Sequence, residues 1–289
     1  MKLSLHNERR HVRDGWKAAL FVLAAMACFA VVGLIGHRLP QALKPFAPSA
    51  ILIAVLGIGI TRGATWLESE SLASVGLKLD RRFLAQFAGG MLIGVALIAA
   101  AAVAVCAFAG VRLTATAAPA LQVELKLAVM FLGGAIFEEL LFRGYAFQRA
   151  ARGMGTWPAI LVFGVLFCLG HLPGNLDVGW PLLSLAMANL FAGAVLQSLL
   201  YVRTHSLAMP IGLHFGWNLL QESLGFGVSG LSSPHAWFHV DLGSQPAWLT
   251  GGNFGLEASA WALAVVMLAV AASGRSRQGP LLADSHHSA

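Results

Sequence analysis

The sequence predicts an all-α fold, a polytopic membrane helix bundle of about eight transmembrane helices. Three observations carry that expectation. Hydrophobic residues make up 57% of the 289-residue chain and charged residues only 11%, against roughly 25% charged in ordinary globular domains. The mean hydropathy is +0.73, so polar groups are too few to solvate a globule of this size. Apolar runs approaching the ~20 residues that cross ~30 Å of hydrocarbon also recur along the whole chain. The same composition excludes a disordered chain. It excludes a nucleic-acid-binding domain too, despite an isoelectric point near 9.7.

The runs can be taken in order. Apolar residues continue unbroken from Ala18 to Ile35, longer than the ~7–15 residues of a signal-peptide core, so the first candidate span is 17–36. Pro40, Pro45 and Pro48 punctuate the connection to a short second run at 49–61. A polar stretch from Gly63 to Arg82 leads to the third, 83–109. The remaining candidates are 126–148, 157–172, 180–202, 206–226 and 253–273. No internal repeat, low-complexity tract or soluble domain interrupts them. The chain divides into N-terminal spans (1–125), a central group (126–226), and a final span with its tail (227–289).

With eight spans both termini share a side. Of the 19 Lys and Arg residues, only Arg38, Lys44, Arg112 and Lys126 fall on the opposite side. The positive-inside rule then puts both termini of a multi-pass cell-membrane protein in the cytoplasm. Cys28, Cys106 and Cys168 all lie inside apolar runs and read as small apolar fillers. Gly90-x-x-x-Gly94 and Gly212-x-x-x-Gly216 have the spacing that lets helices approach closely in lipid.

Polar residues inside the spans carry the functional signal. The fourth run contains Glu138 and Glu139, and each intramembrane acid costs ~2.5–3.5 kcal/mol on an insertion scale. Glu139 and Arg143 are four apart and share a helix face, which suits an ion pair. Glu138 points about 100° away with no such partner along the helix, free to face a cavity. The competing reading is a structural Glu–Arg staple with Glu138 reaching for the interface. The fifth run carries Phe167-x-x-x-His171, and the seventh His214-x-x-x-Asn218. At 1.5 Å per residue, Glu138 (counted from Arg152) and His171 (from Trp157) lie about 21 Å deep, and His214 (from Arg203) about 17 Å. A carboxylate, two imidazoles and an amide at one depth supply what hydrolysis requires.

These motifs, Glu-Glu-x-x-x-Arg, then Phe-x-x-x-His, then His-x-x-x-Asn, resemble the CAAX protease and bacteriocin-processing (CPBP, or Abi) family of type II CAAX prenyl endopeptidase-like intramembrane proteases. The resemblance covers about Lys126 to Glu222, and no motif position is substituted. The stretches Asn189 to Gly193 and Arg203 to Leu207 are similar as well. The resemblance implies that 126–226 is a catalytic core and that Glu138 acts as general base. It implies that His171 helps polarise the attacking water, that His214 and Asn218 bind the oxyanion, and that Glu139 with Arg143 braces the site. It implies a membrane-associated or lipidated protein or peptide as substrate. No metal is expected to be required, although Glu138, His171 and His214 are a possible zinc set, and no His-Glu-x-x-His occurs. Two other classes compete. A non-catalytic scaffold or immunity factor of the same fold has no need of an unpaired Glu138. An ion-coupled transporter predicts inverted repeats, which the spans do not show.

Overall fold

The computed structural model describes residues 13–38 and 50–275. Lys2, Arg9, Arg10, Lys44, Arg277, the three prolines of the first connection and the tail lie outside the described residues. The chain forms a helical bundle with one two-stranded ribbon. In order come α1 (Asp14–Arg38), α2 (Ala50–Leu67), α3 (Arg81–Ala109), β1 (Arg112–Ala115), α4 (Leu121–Arg143), α5 (Tyr145–Met154) and α6 (Thr156–His171). Then follow α7 (Trp180–Thr204), α8 (Ala208–Leu224), β2 (Phe238–Asp241), the short α9 (Ala247–Thr250) and α10 (Ala260–Arg275).

Among the described residues, four helices are long and apolar enough to cross a membrane: α1 over Asp14–Leu34, α2, α3 and α7. α6 and α10 are apolar but shorter. α4 and α8 are marked less by apolarity than by what they carry. α4 holds Glu124, Lys126, Glu138, Glu139 and Arg143, and α8 has 17 residues. Outward-facing Leu23, Leu92, Val103, Phe108 and Leu268 are exposed, as lipid-facing side chains must be.

Two expected runs differ from the helices found. The run 126–148 breaks at Gly144, whose backbone leaves the helical region (φ −78°, ψ −132°). A Cβ there would strike the Leu140 carbonyl, so glycine permits the break. Arg152 therefore belongs to α5 and is no measure of the depth of Glu138 in α4. The run 253–273 starts instead as two 3₁₀ turns, Gly252–Phe254 and Leu256–Ala258.

Local sequence explains the helix ends that matter. Asp80 caps α3, its carboxylate accepting the Phe83 N–H at 2.9 Å. α8 stops at Gly225, which is left-handed (φ +89°) and whose Cβ would meet the Phe238 carbonyl of β2. Both the turn and the close approach require glycine. β2 pairs antiparallel with β1, Arg112 opposite Asp241 and Ala115 opposite Phe238.

α5 is short, and Tyr145 through Ala151 are all buried in it. The Tyr145 hydroxyl donates to Glu68 at 2.6 Å, Lys17 pairs with Glu68 at 2.9 Å, and Arg149 reaches both Glu68 and Glu70, the latter at 2.8 Å. This network ties the start of α1, the end of α2 and α5 together. These are three of the segments that the charge count assigns to one side. Partial burial opposes ionisation of Glu70, but hydrogen bonds from Arg149 and Ser74 and the charges of Arg149 and Lys17 outweigh it. The Glu70 carboxyl is held below its ordinary range.

The two glycine motifs turn out to face each other. A Cβ at Gly90 would run into the Met209 carbonyl, one at Gly94 into that of Leu213, and one at Gly212 into that of Phe87. α3 and α8 thus meet backbone to backbone, the most extensive helix contact among the described residues. α4 packs between α2 and α8 and sends Glu139, Leu140 and Arg143 into the interior.

Candidate active site

α8 has two working faces. Gly212 and Gly216 lock it against α3, while His214 and Asn218 line a cavity of about 290 Å³. Glu138 on α4 and His171, the last residue of α6, line the same cavity. The structure therefore brings together all four residues that the motifs single out.

The two adjacent acids are divided by helix rotation. Glu139 is fully buried and its Oε1 accepts from Arg143 Nη1 at 3.1 Å. Arg143 Nη2 donates onward to the Ala194 carbonyl of α7 at 3.2 Å, and the guanidinium lies 5.1 Å from the Phe167 ring centroid. Glu139 does more than the expected bracing of Arg143. Its Oε1 is also 3.0 Å from His214 Nδ1, so one oxygen holds both the guanidinium and the imidazole. This cross-helix bond joins residues 75 apart in sequence, which is why helical spacing gave no hint of it.

With Nδ1 held by Glu139, His214 presents Nε2 toward Glu138. The separation from Glu138 Oε2 is 3.9 Å, too long for a direct hydrogen bond, and Oε2 is buried without a partner. His171 is fixed by an Nδ1 contact with the Phe167 carbonyl at 2.9 Å, and its own carbonyl accepts from Asn175 Nδ2 at 2.9 Å. Phe167 lies between the two imidazoles, its ring centroid 4.6 Å from that of His171 and 6.4 Å from that of His214.

Four further polar residues line the cavity: Asn189 and Gln197 of α7, Ser229 of the loop after α8, and Glu257 of the second 3₁₀ turn. Asn189 lies in a stretch already noted for resemblance. Glu257 escaped notice, although an acid within the run 253–273 is as costly as Glu138 and carries the same signal. The cavity also takes Ala50 from the N-terminal segment and Val266 from the last. It draws on all three segments of the chain.

Among the described residues, no group of three His, Cys, Asp or Glu side chains is placed to hold a metal ion. Nδ1 of His214 is bonded to Glu139 and Nδ1 of His171 to a carbonyl, as is common for metal-bound imidazoles, so the misfit lies in the placement of the side chains and not in the ring nitrogens. As arranged, the set does not fit zinc, and no step below passes through a metal.

A carboxylate, two imidazoles and an amide around one cavity in an apolar bundle have the chemistry of a membrane-embedded hydrolase. Residues 120–220 match the family model described as Rce1-like, type II CAAX prenyl endopeptidase Rce1-like. Residues 120–220 are thus similar to the kind of domain that the motifs resemble, within a chain whose described residues include four helices long and apolar enough to cross a membrane. No curated protein and no solved structure matches the chain.

Proposed function

We propose that the protein is an intramembrane endopeptidase that hydrolyses a membrane-associated or lipidated peptide with a water activated by Glu138. The observation that carries this reading is the unpartnered Glu138 Oε2 facing His214 Nε2 at 3.9 Å across the cavity. A water oxygen set between them would lie within hydrogen-bond reach of both. Glu138 takes the proton from the attacking water as general base, with His171 polarising that water from the end of α6. The carbonyl oxygen gains charge as the water oxygen bonds to the carbonyl carbon. Asn218 donates to it, and so does His214 one helical turn away, as an imidazolium whose Nδ1–H is held by Glu139 and whose Nε2–H is open. The intermediate collapses by breaking the C–N bond as Glu138 passes its proton to the leaving amine. Glu139 serves by orientation: it fixes the His214 ring and is itself neutralised by Arg143. Substrate approaches from the cytoplasmic side or laterally, with both termini of the chain cytoplasmic, and the reaction needs no obligate metal.

The test is hydrolysis of a peptide library by purified protein. Glu138→Gln should abolish turnover while leaving yield and thermal stability unchanged, and prolonged dialysis against a strong chelator should leave wild-type turnover intact. More than a few percent residual activity in Glu138→Gln would remove Glu138 from the base role. Activity lost on chelation and restored by zinc would replace this mechanism with a metal-activated one.

A further inference from the structure

The proposed reaction uses Glu138 and Glu139 but leaves the third carboxylate of the cavity without a task. Glu257 is 4% exposed and lines the cavity wall. Its Oε1 accepts from the Ser229 N–H and the Ser229 hydroxyl, each at 2.7 Å, so both of these donors are neutral. The Glu257 backbone carbonyl accepts from Asn189 Nδ2 at 2.8 Å. Asn189 is equally buried and lines the same cavity, and its Oδ1 has no partner. A carboxylate and an orphaned amide oxygen, on residues joined by that bond, thus line one cavity as acceptors.

Charge around the cavity is unbalanced in the same direction. Among the described residues around it, Glu138, Glu139 and Glu257 outnumber the Arg143 guanidinium, committed to Glu139 and the Ala194 carbonyl, and the His214 imidazolium. Of the two imidazoles on the wall, His214 is bonded to Glu139 and His171 to a backbone carbonyl. Burying a carboxylate without a counter-charge is expensive, and buried charges in proteins are as a rule paired. An ammonium or guanidinium has donors only and no acceptor. Apolar Leu190, Val228, Leu231 and Val266 on the same wall suit the methylene stem of a long cationic side chain.

We propose that Glu257 and Asn189 form a specificity subsite for a positively charged donor group of the substrate, an ammonium or guanidinium held beside the scissile bond. The identity of the ligand as a peptide rests on the endopeptidase reading. The preference for positive charge rests on the cavity itself. Glu257 lies beyond the matched segment 120–220 and Asn189 within it, so the C-terminal part of this chain supplies the carboxylate of the subsite.

Binding separates the two ideas. Full-length protein carrying Glu138→Gln is titrated in detergent with fluorescent peptides that differ only by Lys or Met at each position, with free or acetylated N-termini. Peptides with a correctly placed Lys, or with a free N-terminus if the terminal ammonium is the ligand, should bind roughly ten- to a hundredfold tighter, as for a hydrogen bond to a charged group. Adding Glu257→Gln, whose amide oxygen still accepts from Ser229, should bring the ratio close to one. Ser229→Ala, which loosens the loop without changing charge, should retain most of the preference. Equal binding of Lys and Met peptides at every position, or a ratio unchanged by Glu257→Gln, overturns the subsite. A preference that persists while wild-type protein cleaves none of the peptides would uphold the subsite and defeat the endopeptidase reading.

Discussion

Replacing Arg143 by methionine keeps the length and apolar stem of the side chain and removes only the guanidinium. In the native protein that group is 1% exposed and donates to Glu139 at 3.1 Å and to the Ala194 carbonyl at 3.2 Å. Its loss strands a fully buried carboxylate, and breaking a buried pair from one side costs about 3–5 kcal/mol. Two details set the value within that range. His214 Nδ1 remains bonded to Glu139 Oε1, which softens the loss. The Ala194 carbonyl loses a donor, which adds to it. We expect about 3 kcal/mol, near the lower bound. The assay is reversible unfolding of purified protein in mixed micelles by SDS titration, with Glu139→Gln/Arg143→Met measured alongside. Removing both charges should recover at least half of the loss, because replacing a whole buried pair is often close to neutral. A cost below about 1 kcal/mol for Arg143→Met, or a double variant as unstable as the single, would refute the claim that Glu139 is charged and neutralised by Arg143.

The remaining expectations follow from the same geometry. His214→Ala and Asn218→Ala should each lower kcat by ~10²–10³-fold, the usual effect of one oxyanion donor, and unchanged turnover in steady-state assays would take them out of that role. Gly212→Val should displace α8 from α3, because its side chain collides with the Phe87 carbonyl. It should therefore lower both thermal stability and turnover, whereas Gly59→Val, at a glycine with open space around it, should be tolerated. The Glu70 carboxyl is held below its ordinary range when folded. Its stabilising effect is therefore complete above the unfolded pKa and disappears as pH falls through the folded one. Acid unfolding curves of Glu70→Gln should be flatter than wild type in the window just below the ordinary carboxylate pKa, and superimposable curves would exclude this contribution.

Much of the architecture was legible in the chain because it depends on quantities local to a segment. Apolarity and run length marked the helices, since lipid leaves a backbone no choice but to satisfy itself. The Glu139–Arg143 pair and the His214–Asn218 stripe followed from the 3.6-residue turn alone. The two glycine motifs were visible as spacing, though not as partners. Glu257 carried the same signal as Glu138, an acid where acids are costly, and sequence reading passed over it.

Tertiary structure alone decided the rest, because the rest joins atoms far apart along the chain. The bond from Glu139 to His214 spans 75 residues and turns a structural acid into the group that aims an imidazole. The break at Gly144 is the local exception: the residue's lack of a Cβ permits a turn against the Leu140 carbonyl, and the turn detaches α5 from the helix bearing Glu138. The meeting of Gly90 and Gly94 with α8, and of Glu257 with Asn189, needs two helices to have chosen each other. Spacing fixes which side chains share a face of one helix, and packing between helices decides what that face sees.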